Sequence, residues 1–299
     1  MRQLLTFLLM ICACSAKQPP SFNGERAFND LVAQCQFGPR SPNTTAHDKA
    51  AEFLFDSLNA TADICRRQPF AYYDTLNGAK LNLVNIIASY NTKNQRRVML
   101  CAHWDSRPRA EMEPDSSRRN EPIPGANDGA SGTAILIELG RIFKANPPPI
   151  GIDIVLFDGE DYGFSGRDDG WFLGSYYFAR HLGGYRPRAA ILLDMVGDKD
   201  LQIYREAYSN KYASDLNNYI FQIAKEQQVA AFVDSTRHAV LDDHIPLLSA
   251  GIKAIDLIDF DYPYWHTQSD TPDKCSPASL KIVGDVISAA VYDERIAKF

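Results

Sequence analysis

Four short apolar runs in this 299-residue chain each lead into an acid or a histidine. Residues 98–102 run into His103-Trp104-Asp105, and residues 152–157 into Asp158-Gly159-Glu160-Asp161. Residues 189–193 run into Asp194, and residues 254–258 are followed shortly by Trp265-His266-Thr267. Gly125-Ala126-Asn127-Asp128-Gly129 adds an aspartate on a glycine-flanked turn, where the backbone can approach an ion closely. Taken singly, such an aspartate is a turn or cap residue and such a histidine a structural one. Together, five segments deliver His103, Asp128, Glu160, Asp161, Asp194 and His266, a mixture of imidazole and carboxylate that suits zinc. Carboxylates crowded into one crevice resist ionising together, and a cation removes that conflict. Glu160 and Asp161 are adjacent and point in different directions, so one of them coordinates and the other moves protons.

The apolar runs are the elements that must position these groups. Read as buried strands, they alternate with helical patterns over residues 130–144, 176–181, 212–227 and 245–250, and residues 277–292 form a closing helix. That alternation implies a single α/β domain, with a mostly parallel twisted sheet covered by helices on both faces. In such sheets the ligand crevice lies beyond the carboxyl ends of the strands, where the acids and histidines stand. Residues 81–89 are a further strand candidate, expected beside residues 98–102. Two helices open the domain, over residues 26–35 and 45–58. Residues 107–124 and 163–170 read as long functional loops.

The formal net charge of -6 excludes a nucleic-acid partner, which would need a basic face. Residues 1–13 have the charged start and short apolar run of an export signal, too short to span a bilayer. Ile11-Cys12-Ala13-Cys14-Ser15 resembles a bacterial lipobox, which implies that Cys14 is lipidated and that the protein is an exported, membrane-anchored periplasmic lipoprotein of a Gram-negative bacterium. The competing expectation is ordinary signal cleavage with Cys14 discarded. On this reading residues 1–14 are the signal, residues 15–23 a tether, and residues 24–299 the catalytic domain. Cys35, Cys65, Cys101 and Cys275 show no Cys-x-x-Cys spacing, and Cys101, inside an apolar run, reads as a buried free thiol.

The order His103-x-Asp105, Asp128, Glu160-Asp161, Asp194 and His266-Thr267 resembles the zinc aminopeptidase family. Within it, Leu192-Leu193-Asp194-Met195-Val196-Gly197, Asp242-Asp243-His244-Ile245-Pro246 and Trp265-His266-Thr267 look like the glutaminyl cyclase branch. The resemblance implies that Asp128, Asp161 and His266 bind one zinc ion and that Glu160 is the general acid/base. It also implies that Asp194 and Asp242 form a hydrogen-bond network near the substrate and that Trp265 lines its pocket. The implied reaction converts N-terminal glutamine of peptides and proteins to pyroglutamate with release of ammonia. Gly166 stands where animal cyclases have a pocket tryptophan, for which Phe164 or Trp171 are the candidate replacements. The alternative is a two-zinc aminopeptidase in which His103 and Asp194 also bind metal, His103 being otherwise a supporting residue. A non-catalytic lipoprotein binding module is the second alternative, and it would show broken chemistry at the strand ends.

Overall fold

The computed structural model describes residues 19–299, so the signal, Cys14 and the first part of the expected tether lie outside the described residues. Helices α1 (Gly24–Gln36) and α2 (Thr45–Asn59) open the fold, each started by a side chain, Asn23 or Thr44, that accepts a hydrogen bond from a first-turn amide. Strands β1 (Ile64–Asp74), β2 (Ala79–Tyr90) and β3 (Arg97–His103) follow, then α3 (Ala130–Ala145), β4 (Gly151–Phe157), α4 (Leu173–Arg180) and β5 (Ala189–Asp194). The second half comprises β6 (Ile203–Arg205), α5 (Ala207–Tyr212), α6 (Ser214–Glu226), β7 (Phe232–Thr236), α7 (His244–Ser249), β8 (Ala254–Ile258) and α8 (Pro277–Tyr292). Among the described residues no helix is long and apolar enough to cross a membrane.

The main sheet has the order β1-β2-β4-β3-β5-β8, in which β4, β3, β5 and β8 run parallel and β1 and β2 antiparallel. One face packs on α1, α2, α3, α6 and α8 through residues such as Leu31, Leu54, Ile135, Ile220 and Val286. The opposite face is covered by α4 and α7 through Phe178 and Leu247. This is the α/β arrangement that the alternating pattern implies, and the predominantly apolar runs are explained by burial of the parallel strands from both sides.

Two expectations change, and one strand is not anticipated. Residues 81–89 lie in β2, but β2 pairs antiparallel with β4, with Ile86 opposite Leu156, and not with β3. An apolar run carries no information on which neighbour it pairs with. β1 is a full edge strand without a legible signal, because Asp74 is its one buried residue, Ile64 is 56% exposed, and Pro69 is tolerated at an edge. The tether does not reach residue 23: Phe22 is buried against Gly284, its amide donates to Asp285 Oδ1 at 2.9 Å, and Ser288 Oγ donates to the Pro20 carbonyl. Helical spacing alone cannot see this contact, which joins the two ends of the domain.

Cys35, Cys65, Cys101 and Cys275 are unpaired, and Cys101 is buried in β3 with its thiol directed at the Ile191 carbonyl, 3.6 Å away.

Candidate active site

Because β3, β4, β5 and β8 are parallel, their carboxyl ends lie on one edge, where His103 closes β3 and Asp194 closes β5. Glu160 and Asp161 follow β4 by three and four residues. Their amides donate to the two oxygens of Asp105, at 3.1 and 3.2 Å. Asp105 thus uses one carboxylate to aim the turn that carries both. Asp128 sits on the turn before α3, and its amide and that of Asn127 donate to Asp270, at 3.2 and 2.8 Å. Tyr262 donates its hydroxyl to the same Asp270, and the Arg40 guanidinium ties the Trp104, Pro124 and Gly125 carbonyls together beneath the turn.

His266 lies after β8 with φ 54°, a left-handed conformation uncommon outside glycine. Met195, immediately after Asp194, has φ 46°. Backbone of this kind persists only where the surroundings impose it, and both cases adjoin candidate site residues.

Asp128, Asp161 and His266 are brought together with one donor atom each inside a 4.8 Å span. His266 Nε2 lies 3.4 Å from Asp161 Oδ1 and 3.7 Å from Asp128 Oδ2. Asp128 Oδ2 and Asp161 Oδ2 are buried without any hydrogen-bond partner. Two orphaned carboxylate oxygens beside an imidazole would be costly unless a cation satisfies them, so this donor set fits zinc. Among the described residues His103, Asp128 and Asp194 form a second such group sharing Asp128, with His103 Nε2 3.1 Å from Asp194 Oδ1 and 3.2 Å from Asp128 Oδ1.

The adjacent pair behind β4 is differentiated by its contacts. Burial alone would raise the Asp161 carboxyl, but His266 and Arg107 outweigh it and hold it at about 2. The Arg107 guanidinium is fully buried and donates to Asp161 Oδ1 at 2.7 Å, while Oδ2 has no hydrogen-bond partner. Glu160 has no such cation: burial, and then the charge of Asp161, push its carboxyl well up. Asp242 is likewise raised by burial and by its neighbour Asp194.

Glu160, Asp161, Asp194, Asp242, Trp265 and His266 all line one cavity of about 520 Å³. The Trp265 ring stacks on His266 with centroids 3.8 Å apart. Trp171 lines the same cavity and packs under the Arg107 guanidinium, whereas Phe164 lies under Arg109 at 3.7 Å. Of the two candidates for the wall left open by Gly166, it is Trp171 that reaches the cavity. Sequence reasoning assigned no role to Asp105, Arg107, Asp256 or Asp270. Asp105, inside the quoted His103-x-Asp105 spacing, Asp256, an acid inside the apolar run 254–258, and Asp270, soon after His266, stand where a signal could have been sought. Asp256 is buried within β8 and groups with Asp242 and His244 behind the cavity wall.

Two carboxylates and an imidazole presented at the carboxyl edge of a mainly parallel sheet define the class of α/β enzymes with a candidate metal centre at the strand ends. The pattern of peptidase family M28 matches residues 85–291, and the chain belongs to that family. Its structure is similar to that of Bacteroides thetaiotaomicron glutaminyl cyclase bound to N-acetylhistamine, with TM-score 0.89 and 36% identity over 93% of this chain and 100% of that one. Tannerella forsythia glutaminyl cyclase gives TM-score 0.88 and 37% identity over 92% and 100%. Among curated relatives, aminopeptidase YwaD of Bacillus subtilis is 29% identical over 231 residues, 73% of this chain and 45% of its own length. The chain therefore spans under half of that relative.

Proposed function

We propose that this chain is a glutaminyl cyclase, which converts the N-terminal glutamine of peptides and proteins to pyroglutamate and releases ammonia. The observation that carries this reading is that Asp194 shares the wall of the cavity that holds the metal donors with a second buried carboxyl, Asp242. A peptidase would use Asp194 to hold a second cation, whereas neighbouring carboxyls suit a proton shared in a hydrogen-bond network. The two solved structures named above, each matching over 90% of this chain at 36–37% identity, are glutaminyl cyclases, which supports the same reading. A structure named as a leucine aminopeptidase precursor matches to the same extent.

Asp128, Asp161 and His266 would hold one zinc ion, whose Lewis acidity polarises the γ-carboxamide of the substrate. Trp265 supplies a flat apolar wall against which the glutaminyl side chain bends toward its own α-amine. Ring closure is then intramolecular, and proximity carries much of the barrier reduction. Glu160, on the cavity wall, accepts a proton from the α-amine as its nitrogen bonds to the δ-carbon. It returns that proton to the amide nitrogen as the carbon–nitrogen bond breaks and ammonia leaves. Asp194 and Asp242 keep the amine oriented by sharing a proton, and no external water is consumed.

A two-zinc aminopeptidase is the second reading, favoured by the group His103, Asp128 and Asp194. A non-catalytic binding module would show broken chemistry at the strand ends, whereas the donors there are assembled and buried. Zinc stoichiometry measured beside two assays on one glutamine-led peptide separates the enzymes. One zinc per chain, ammonia released and the first peptide bond intact are expected. Two zinc ions with free glutamine released would replace the cyclase by the peptidase.

The lipobox-like Ile11-Cys12-Ala13-Cys14 supports export and lipidation at Cys14, hence a periplasmic enzyme tethered to a membrane. Mass spectrometry of the native N-terminus tests it, and an unmodified terminus beyond Cys14 removes the anchor.

A further inference from the structure

Leu241 and Ile245 belong to the wall of the active-site cavity, and on their outer side the surface falls into a second depression of about 610 Å³. Tyr208, Tyr212, Leu248 and Ile252 line it, with Lys253 at one side. Leu241 is 61% exposed and Tyr212 56%, so the rim and the far wall present large apolar side chains to solvent. The Tyr208 and Tyr212 rings lie nearly parallel, 7° apart, one turn from each other on α5. Leu241 and Ile245 line both hollows, so an apolar divide joins the cavity that holds the metal donors to the groove.

We infer that this groove is the subsite for the residues that follow the N-terminal glutamine, and that it takes apolar or aromatic side chains of an extended peptide. The inference rests on the glutaminyl cyclase reading. Cyclisation requires both the α-amine and the side chain of the glutamine at the donors, so the rest of the peptide must leave through the cavity mouth. An extended chain advances roughly 3.3–3.6 Å per residue, which carries the next few residues across the rim. Another part of that mouth carries Arg167 and Asp168, whereas the side formed by Leu241 and Ile245 is apolar. The one cation lining the groove, Lys253, is paired with Asp215, so an acidic segment would find no free partner there. Apolar side chains gain by leaving water in such a groove, and exposed apolar patches of this kind mark binding sites.

The test compares glutamine amide with two tetrapeptide amides, Gln-Ala-Leu-Phe and Gln-Ala-Ser-Ser, by ammonia release from the zinc-loaded enzyme. The Leu-Phe peptide is expected to show a kcat/KM about tenfold above the Ser-Ser peptide, a fraction of what full burial of two large side chains provides. Tyr212→Ala should bring the two peptides within about twofold of each other and leave glutamine amide unaffected. Ser249→Trp, which fills the groove from an exposed position, should do the same without disturbing the core. If the parent enzyme turns over glutamine amide but treats both peptides alike, the subsite is overturned while the cyclase reading stands. If no ammonia is released even from glutamine amide, the cyclase reading falls and this inference with it. If Tyr212→Ala leaves the peptide ratio intact but converts a dimer to a monomer in sedimentation, the groove joins copies of this chain and the inference is overturned.

Discussion

Asp161 is gripped by Arg107 and faces His266, whereas Glu160 beside it lies 3.9 Å from His103 and has no buried guanidinium. Glu160→Gln keeps shape and hydrogen bonding but cannot take up a proton, so turnover should fall by about 10²–10⁴-fold with zinc retained. Metal analysis and ammonia release on the same sample check both halves, and loss of zinc would exchange the roles of the two residues. His266→Ala removes the only imidazole of the first donor group and should strip the ion, as read by zinc content after gel filtration. Arg107→Met tests a supporting contact. Losing the donor that orients Asp161 should weaken zinc by about 10–100-fold, measured against a chromogenic chelator. Removing a positive charge near an ion acts the other way, but Glu111 already pairs with Arg107, at 2.5 Å to Nε, so orientation decides the sign.

Between β3 and α3 the chain must turn sharply enough to place Asp128 against both His103 and His266. Gly129 makes this possible at φ 100°, and a Cβ there would sit 2.3 Å from the Asp105 carbonyl oxygen. Gly132, on the first turn of α3, lets the helix approach the sheet so closely that a Cβ would lie 2.2 Å from the Leu193 carbonyl oxygen. Gly129→Ala should therefore cost about 1–3 kcal/mol and displace Asp128, lowering both the melting temperature and zinc affinity. Gly184→Ala, where nothing lies within 4 Å of the added carbon, is the control and should leave both unchanged. A melt of the three proteins with and without zinc distinguishes strain from loss of metal. If Gly129→Ala melted and bound zinc like the parent, the turn would not be what positions Asp128.

At the scale of the whole molecule, Glu206 joins segments far apart in sequence. It accepts from the Tyr208 and Ser209 amides at the start of α5 and from the Val240 amide ahead of Asp242, and His244 Nε2 lies 3.4 Å away. Burial would raise its carboxyl, but His244 and the backbone amides outweigh burial and bring it down to about 2, from an ordinary 4.5. A carboxyl lowered in the folded state binds its proton more readily when unfolded, so its stabilisation is complete above about pH 4.5 and is lost as pH falls toward about 2. Urea denaturation from pH 7 to pH 3 should show Glu206→Gln less stable than the parent at neutral pH, with the gap narrowing below pH 4.5. A gap that stayed constant across that range would mean that Glu206 contributes by packing and not by charge.

The sequence by itself determined the parallel strands and the type of chemistry at their ends. A strand buried on both faces must be predominantly apolar, and the acids that follow it stand out against that run. It could also separate Glu160 from Asp161 as two jobs, since adjacent side chains diverge, although which did which came from resemblance alone. Only the tertiary structure decided the neighbours. That β2 pairs with β4, that Phe22 docks on α8, and that Arg107, Asp105 and Asp270 hold Asp161, its turn and the Asp128 turn are contacts between segments distant in sequence. Such residues have no local period or spacing to betray them, because an arginine or aspartate becomes a buried partner only when the fold removes water from around it. The same holds for Trp171, which fills the cavity wall from five residues beyond Gly166 because the loop folds back and lays its ring on Gly163.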